Sequence, residues 1–315
     1  MLPFRPVETD RIDTTAKGIA INQLKYLLAR ALLQLCAWLP LSFVQGLGSL
    51  LGYMLNLFPN RARQTTRQNL HLCLPTLSDR ELNRLTAASL RETAKTALEM
   101  GKCWLLPLDK VLGYIRDVEG RGVLQDALDH GRGVILLAPH LGNWEVFGYY
   151  FTEQYPTTFM YQPPKNRYFD RMIKSARSRG KARLAPTNRH GVSTLLKTLK
   201  QAEMVGLLPD QEPHEEGGEY ADFFAQPALT MTLVSRLVER TGARVICGFA
   251  RRLPGGRGFD LIIKAADPMI YDPDLSRSVE GLNRSVEACV NEAVSQYQWE
   301  YKRFKRRPDG SQIYP

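Results

Sequence analysis

Residues 133–145 read Gly-Val-Ile-Leu-Leu-Ala-Pro-His-Leu-Gly-Asn-Trp-Glu. The short apolar run 134–138, bounded by glycine and proline, predicts a strand that is covered on both faces of a sheet. Gly142 and Asn143 are turn and cap residues, so a helix is expected to begin there. His140 is thereby predicted at the carboxyl end of a strand, facing a helix N-terminus. Open α/β sheets bind their ligands at that place.

Strands and helices alternate on either side of this stretch. Further strands are predicted at 157–161, 204–208, 244–251 and 259–265, helices at 61–74, 77–104, 120–130, 168–179, 192–202, 231–241 and 276–297, and a loop at 212–220. The glycine-rich segment 254–258 is typical of a hairpin turn between the last two strands. The alternation predicts an α/β fold with a mixed sheet flanked by helices.

The N-terminal region is expected to form a helical membrane anchor. We divide the chain into a polar leader (1–20), a membrane-associated helical segment (21–60) and a main domain (61–315). Residues 31–58 carry no charge, and Pro40 breaks them into two helices, 21–38 and 41–58. A single crossing would leave basic residues on both sides, which the positive-inside rule disfavours. A shallow hairpin or an interfacial helix pair keeps both basic flanks on one side, and a pair of core helices is the alternative.

Composition narrows the classes of partner and compartment. The 42 basic and 32 acidic residues give a net charge of +10, which indicates a polyanionic partner such as nucleic acid, anionic lipid or an acidic protein. The basic residues are spread along the chain without a recognised nucleic-acid motif, so we expect no nucleic-acid partner. The five cysteines are scattered without a C-x-x-C pair, which fits a reducing compartment. The histidines lack metal-ligand spacing, and we expect neither a metal nor another cofactor.

His140 and Glu145 are the first candidates for chemistry. A histidine accepts a proton from a hydroxyl near neutral pH, and a carboxylate behind it fixes its tautomer. On a continuous helix the two side chains would point about 140° apart, but across a strand-turn-helix junction they can meet. No serine or cysteine lies in a nucleophile-elbow context nearby, which favours direct attack by a bound hydroxyl. A purely structural histidine at the strand end is the alternative.

Four further blocks accompany residues 131–145 in order along the chain. They are Asn69-Leu70 with Cys73-Leu74-Pro75, then Leu208-Pro209-Asp210-Gln211, then Phe223-Phe224 with Pro227-Ala228-Leu229-Thr230, and finally Tyr297 and Trp299 with Arg303-Phe304-Lys305 and Arg307-Pro308. Together these blocks resemble the late lipid A acyltransferases, which are lauroyl and myristoyl transferases of the wider lysophospholipid acyltransferase group. The resemblance covers roughly residues 25–308, and 131–145 matches the H-x4-D/E motif. One such motif is a weak signal, whereas five ordered blocks are a strong one.

The resemblance implies a glycerolipid acyltransferase-like fold in an inner-membrane enzyme that works at the cytoplasmic face. It implies transfer of a fatty acyl chain from acyl carrier protein to a hydroxyl group of a lipid A precursor. His140 would be the general base and Glu145 its orienting partner. Asn143, at the helix start, is expected to assist at the developing thioester oxyanion. The same chemistry on another acceptor, a lysophospholipid, glycolipid or aminolipid, is the open alternative.

Asp210 and Gln211 are further candidates because they follow a predicted strand end. They are expected to line the substrate site, and a plain turn pair is the alternative. The basic tail 302–307 suits an acidic carrier protein or lipid headgroups, with a solubilising tail as the alternative.

Arg171 and Arg179 are the candidates for holding acceptor phosphates, together with Lys165 and Arg167. A solvated basic helix is the alternative for this group. Many relatives read Tyr-Arg-Pro where this chain has Gln162, so an anion contact is missing there, and Lys165 or Arg167 is expected to replace it.

Overall fold

The computed structural model of the chain describes residues 16–164 and 166–314. Its helices are α1 (Ala16–Trp38), α2 (Leu41–Leu57), α3 (Arg61–Cys73), α4 (Asp79–Leu105), α5 (Leu108–Leu112), α6 (Arg121–Asp129), α7 (Trp144–Gln154), α8 (Arg167–Arg177), α9 (Arg189–Lys200), α10 (Leu233–Thr241) and α11 (Leu275–Val290). Its strands are β1 (Ile115–Glu119), β2 (Val134–Leu137), β3 (Thr157–Tyr161), β4 (Ala182–Pro186), β5 (Met204–Leu207), β6 (Gly218–Phe223), β7 (Gln226–Met231), β8 (Arg244–Arg252) and β9 (Phe259–Ala265). The predicted leader lies outside the described residues as far as residue 15, and 16–20 already belong to α1.

A seven-stranded sheet in the order β1-β9-β8-β2-β5-β3-β4 forms the centre of the fold. The hairpin of β8 and β9 is antiparallel, and the other neighbouring strands are parallel. The predicted mixed α/β sheet is therefore confirmed. Strands β6 and β7 form a separate antiparallel pair.

Two apolar cores cover the two faces of this sheet. Along β2, Ile135 and Leu137 belong to one core and Val134 and Leu136 to the other, as the alternation of side chains in a strand requires. The first core includes side chains of α9, α10 and α11, and the second includes side chains of α6 and α7. All of β2 and β5 is buried, which is why their sequences read as unbroken apolar runs.

Helices α1 and α2 pack on α4 and meet at the predicted break, Pro40. Gly48 and Gly52 let α2 approach closely, because a Cβ atom at either position would lie within 2.6 Å of the α4 backbone. Of the 17 exposed large apolar side chains in the described residues, 15 lie between residues 21 and 58. No single helix of the described residues has the length and composition to cross a membrane, although α2 and α3, bent by 85°, pass that test as a pair.

The C-terminal segment differs from its prediction. The last helix was expected to reach Tyr297 but ends at Val290. The residues that follow pair with the opening stretch instead: Leu141 bridges Tyr297, and the amide of Gly142 donates to the carbonyl of Gln296 at 3.0 Å. Backbone pairing with a distant loop therefore replaces the last turns of the helix.

Candidate active site

The turn between β2 and α7, residues 138–143, is called the His140 turn below. It is held tightly against β8, because the amide of Asn143 donates to the carbonyl of Ala250 at 3.0 Å. Gly142 has a φ of +60°, and a Cβ atom there would lie 2.1 Å from the same carbonyl oxygen. Only glycine satisfies both conditions. His140 is consequently fixed at the carboxyl end of β2, as the sequence predicts.

His140 pairs with Asp210. The two parallel strands β2 and β5 are neighbours, with Leu137 opposite Leu207, so the third residue beyond each strand emerges at the same edge of the sheet. Oδ1 of Asp210 lies 2.9 Å from Nδ1 of His140, and Oδ2 accepts the backbone amide of His140 at 2.8 Å. Burial opposes ionisation of Asp210, but the charge of His140 and these hydrogen bonds hold its pKa below the usual range. The ionised carboxylate keeps the proton of His140 on Nδ1 and leaves Nε2 as the basic atom.

The Nε2 side of His140 faces the amide of Gln211, which in turn contacts the amide of Gln298. Nε2 of Gln211 lies 3.3 Å from Nε2 of His140 and 3.4 Å from Oε1 of Gln298. The backbone amide of Gln298 also donates to the carbonyl of His140 at 3.0 Å. Trp144 packs edge-to-face on the imidazole, with 4.9 Å between ring centroids. Gln211 was predicted from its strand end, whereas Gln298 was not singled out because its contact depends on the unpredicted 296–298 pairing.

Glu145 does not occupy the predicted position behind His140. Its carboxylate accepts from Nε of Arg177 at 2.9 and 3.2 Å and also binds Nη2 of that arginine. Glu145 is 4% exposed, so its charge requires a hydrogen-bonded partner of opposite charge, and Arg177 of α8 supplies one. The carboxylate that meets His140 is Asp210, because adjacent parallel strands bring these two residues together. Arg177 was missed, although it lies in the basic helix from which Arg171 was chosen.

The side chain of Asn143 stabilises the His140 turn and does not line an open binding surface. Its Oδ1 accepts the backbone amide of Val146 at 3.1 Å, which caps α7, and its Nδ2 donates to Oε2 of Glu99 at 2.9 Å. The side chain is fully buried. The helix start predicted at Asn143 is confirmed, but both polar atoms of its amide are engaged with the protein.

The two arginines that were predicted to hold acceptor phosphates have different environments. The guanidinium of Arg179 donates to the carbonyls of Ala176, Leu106 and Cys103, so it caps the carboxyl end of α4. Arg171 is exposed on α8. Lys165 lies outside the described residues.

The basic tail contains both structural and exposed charges. Arg303 is 3% exposed and donates to the carbonyl of Leu229 and to Oγ1 of Thr230. Arg306 donates to the carbonyl of Pro213, whereas Lys305 is exposed. Arg303 therefore holds the tail on β7 and is not exposed to the acidic carrier protein or lipid headgroups for which the tail was predicted.

A small cavity with a free volume of about 40 Å³ lies near the His140 turn, between α7, α8 and the sheet. It is lined by Ala138, Trp144, Glu145, Gly148, Tyr149, Thr152, Phe159, Met160, Tyr161, Arg177, Leu184 and Leu208. Trp144 lies between His140 and the cavity, because its ring contacts the imidazole and also lines the cavity. The lining is mostly apolar, with the Glu145–Arg177 pair as its charged part, which is typical of a ligand pocket. Sequence reasoning did not detect this space.

Comparison with known proteins now identifies the family. A model described as bacterial lipid A biosynthesis acyltransferase matches residues 16–306. The chain is similar to a lipid A biosynthesis lauroyltransferase of Escherichia coli (strain K12), with 28% identity over 279 residues that cover 88% of this chain and 90% of the relative. A lipid A biosynthesis myristoyltransferase of the same organism is 25% identical, covering 80% and 79% of the two chains. The family match spans most of the chain and confirms the resemblance, so this protein belongs to the bacterial lipid A biosynthesis acyltransferases.

Proposed function

We propose that this protein transfers a fatty acyl chain from the thioester of acyl carrier protein to a hydroxyl group of a lipid A precursor, with His140 as general base. The observation that carries the proposal is the His140–Asp210 pair at the carboxyl end of β2 and β5. It leaves Nε2 of the imidazole as the proton acceptor, and Trp144, which packs on the imidazole, also lines the apolar cavity.

The reaction requires one base and one donor to the oxyanion. Nε2 of His140 accepts the proton of the acceptor hydroxyl while the hydroxyl oxygen attacks the thioester carbonyl carbon. The C–S bond of the resulting tetrahedral intermediate then breaks, and the imidazolium returns its proton to the thiolate. Asp210 stabilises the imidazolium, and such a base contributes about 10²- to 10⁴-fold in rate. The amide of Gln211, 3.3 Å from Nε2, is our candidate donor to the oxyanion.

The cavity near His140 is assigned to the first part of the acyl chain of the donor. Its free volume is about 40 Å³, so the side chains around it must move apart to admit a long chain. Ala138 and Leu208, which line it, directly precede the segments that carry His140 and Asp210. An acyl chain in this space would therefore have its thioester end near Nε2. Burial of a long alkyl chain is favourable by about 0.8 kcal/mol per methylene.

The binding site of the acceptor is assigned to the surface formed by α8 and α1. Tyr26 of α1 stacks on Tyr168 of α8 with 5.6 Å between ring centroids, so the exposed Arg171 lies on a helix that packs against the lipid-facing segment. A guanidinium there suits the phosphates of a lipid A precursor.

Attachment to the cytoplasmic face of the inner membrane is assigned to α1 and α2. Their exposed apolar side chains form a continuous stretch of sequence, and exposed basic residues lie beside them at Lys25, Arg30 and Arg61. That combination is typical of helices lying in the membrane interface. The net charge of +10 suits both anionic lipid and an acidic carrier protein.

The test is acyl transfer by the purified protein, followed by mass spectrometry. Acyl carrier protein charged with C10 to C18 chains is incubated with a lipid A precursor, and His140→Ala is compared with His190→Ala, whose side chain is exposed on α9. We expect His140→Ala to lose transfer and His190→Ala to retain it. Equal turnover by both variants would exclude His140 as the base. Lipid A and phospholipid profiles of a deletion strain identify the acceptor, because only the pool that loses an acyl chain is the product.

A further inference from the structure

A buried polar cluster joins α2, α4 and β8 to the His140 turn. Glu99 of α4 is 1% exposed. Its Oε1 accepts from Nε2 of Gln45 at 2.9 Å and from Nε of Arg252 at 2.6 Å. Its Oε2 accepts from Nδ2 of Asn143 at 2.9 Å and from Nη2 of Arg252 at 2.6 Å. A buried carboxylate is stable only with such partners, so the four donors hold one another in place.

At one end, this cluster fixes the His140 turn. Asn143 caps α7 while its amide is held by Glu99, and the carbonyl of Gly142 accepts from Oγ1 of Thr96 at 3.2 Å and from Arg252 at 3.4 Å. The cluster therefore restrains Gly142 and Asn143, the last two of the three residues between His140 and α7. Neither Glu99 nor Arg252 contacts the imidazole in the hydrogen bonds that the structure gives for His140.

At the other end, the cluster reaches the helix that we assign to the membrane. Gln45 of α2 is 5% exposed, whereas Leu47, Leu50 and Leu51 on the same helix are exposed. Oε1 of Gln45 accepts the backbone amide of Gly256 at 3.1 Å. Both polar atoms of the Gln45 amide are therefore hydrogen-bonded inside the protein. Its Nε2 donates to the carboxylate of Glu99, which also binds Asn143 of the His140 turn.

We propose that Gln45 and Glu99 are positioning residues, through which the seating of α2 on α4 holds the His140 turn in its reactive geometry. The inference rests on the proposed function, since it concerns the efficiency of the same reaction. A buried polar cluster is a poor source of net stability, but it specifies one arrangement of the groups that it connects. Loss of the Gln45 amide leaves Oε1 of Glu99 with one donor fewer, and Asn143 shares that carboxylate.

The experiment compares Gln45→Met with Leu41→Ala in the purified full-length protein. Methionine keeps the length of the side chain and removes the hydrogen bond. Leu41 lies one turn earlier on α2 and is 5% exposed in the apolar core, so its substitution loosens the same helix without removing a polar contact. Acyl transfer is measured below the unfolding temperature of both variants, with varied donor and acceptor.

We expect Gln45→Met to lower kcat about tenfold, because small displacements of a catalytic group are costly, while KM changes less than about twofold. Leu41→Ala is expected to lose at least as much thermal stability with a smaller loss of kcat. Amide hydrogen exchange at Val146, whose N–H is bonded to Asn143, is expected to accelerate in Gln45→Met alone.

The inference is overturned if kcat of Gln45→Met stays within twofold of wild type, or falls no further than that of Leu41→Ala. A failure of the proposed function is distinct, because the wild-type protein itself would then show no acyl transfer. Vesicle binding by Gln45→Met is expected to equal wild type, since Gln45 faces away from the exposed side of α2.

Discussion

At the scale of residues, the chemistry depends on which carboxylate meets the imidazole. Asp210 contacts both Nδ1 and the backbone amide of His140, so it sets the tautomer and the position of the ring together. An amide at position 210 would present either a weaker acceptor or an NH₂ group to Nδ1. The second arrangement forces the proton onto Nε2 and removes the base.

Asp210→Asn is therefore expected to lower kcat/KM for acyl transfer by about 10²- to 10⁴-fold. Circular dichroism and vesicle binding serve as controls for folding and attachment. If kcat/KM remained within about threefold of wild type, Asp210 would not be the group that orients His140.

The same substitution has a signature in the pH dependence of stability. The pKa of Asp210 is lowered in the folded protein from its ordinary value near 3.8. Its ionised form thus contributes stability that is present above this value and is lost as the pH falls through the lower folded value. We expect the difference in unfolding free energy between wild type and Asp210→Asn to shrink as the pH falls below 3.8.

Glu145 and Arg177 form a pair with unequal burial. The side chain of Glu145 is 4% exposed and that of Arg177 is 26% exposed. Replacing Arg177 leaves the buried carboxylate of Glu145 without its charged partner. Replacing Glu145 leaves the guanidinium of Arg177, which is partly exposed to water. We expect Arg177→Met to cost about 3 kcal/mol and Glu145→Gln clearly less, with the double variant less destabilised than the two single effects added together. Chemical denaturation of the three proteins measures these values.

Activity of the same variants separates two roles for Glu145. If the pair shapes the cavity, both single variants lower kcat to a similar extent. If Glu145 instead orients His140, Glu145→Gln lowers kcat as strongly as Asp210→Asn while Arg177→Met has little effect.

The sequence predicted the positions of His140 and Asp210 at strand ends, but it named Glu145 instead of Asp210 as the carboxylate that contacts His140. His140 and Asp210 were both recognisable as residues that follow buried strands. The order of strands in the sheet could not be predicted from the sequence. Asp210 contacts His140 because β2 and β5 are neighbours in that order. Glu145 is close in the chain, but its buried side chain lies toward α8.

At the scale of elements, the sequence was sufficient to predict helix ends and breaks whose backbone hydrogen bonds are formed by nearby residues. Ser78 and Glu81, spaced three residues apart, form at the start of α4 the capping box that this spacing indicates. The predicted break at Pro40 separates α1 from α2. The pair β6 and β7 was not predicted, because its sequences contain glycine and proline and few β-branched residues. Tertiary contacts stabilise it: Nδ2 of Asn283 on α11 donates to the carbonyls of Ala221 and Asp222.

The cavity is shaped by one side chain of β3 between two glycines. A Cβ atom at Gly206 of β5 would lie 2.1 Å from the ring of Phe159, and one at Gly148 of α7 would lie 3.4 Å from it. Gly206 thus provides the space that the ring occupies. Phe159 also lines the cavity, so its size would limit the length of the acyl chain that we propose to bind there.

Phe159→Ala is accordingly expected to shift the preferred donor toward longer acyl chains, and Gly148→Ala toward shorter ones. Competition among carrier proteins charged with C10 to C18 chains measures both. Gly122→Ala, which meets nothing within 4 Å on α6, is the matched control. An unchanged preference in both cavity variants would assign the acyl chain to another part of the protein. Phe159→Ala is expected to cost at most about 3 kcal/mol of stability.

At the scale of the whole molecule, polar and apolar surfaces are strongly separated. Nearly all of the exposed large apolar side chains in the described residues belong to α1, α2 and the residue after α2. Gly48 and Gly52 fix α2 on α4, and the Gln45–Glu99 contact joins the same interface to the His140 turn. If α1 and α2 lie in the membrane interface, as we propose, these contacts connect the lipid-facing helices to the His140 turn.

This arrangement predicts how vesicle binding responds to substitution. Leu28 and Leu50 are 65% and 58% exposed, so aspartate at either position leaves the fold intact. Each change removes about 1.5 kcal/mol of apolar burial in the bilayer and should weaken binding about tenfold. Tyr220→Asp, on the distant hairpin, is the control and should bind as wild type. Sedimentation with anionic vesicles measures all three, and added salt should weaken wild-type binding as it screens Lys25 and Arg61. If Leu28→Asp and Leu50→Asp bound vesicles like the control, the apolar faces of α1 and α2 would have to contact protein instead of lipid.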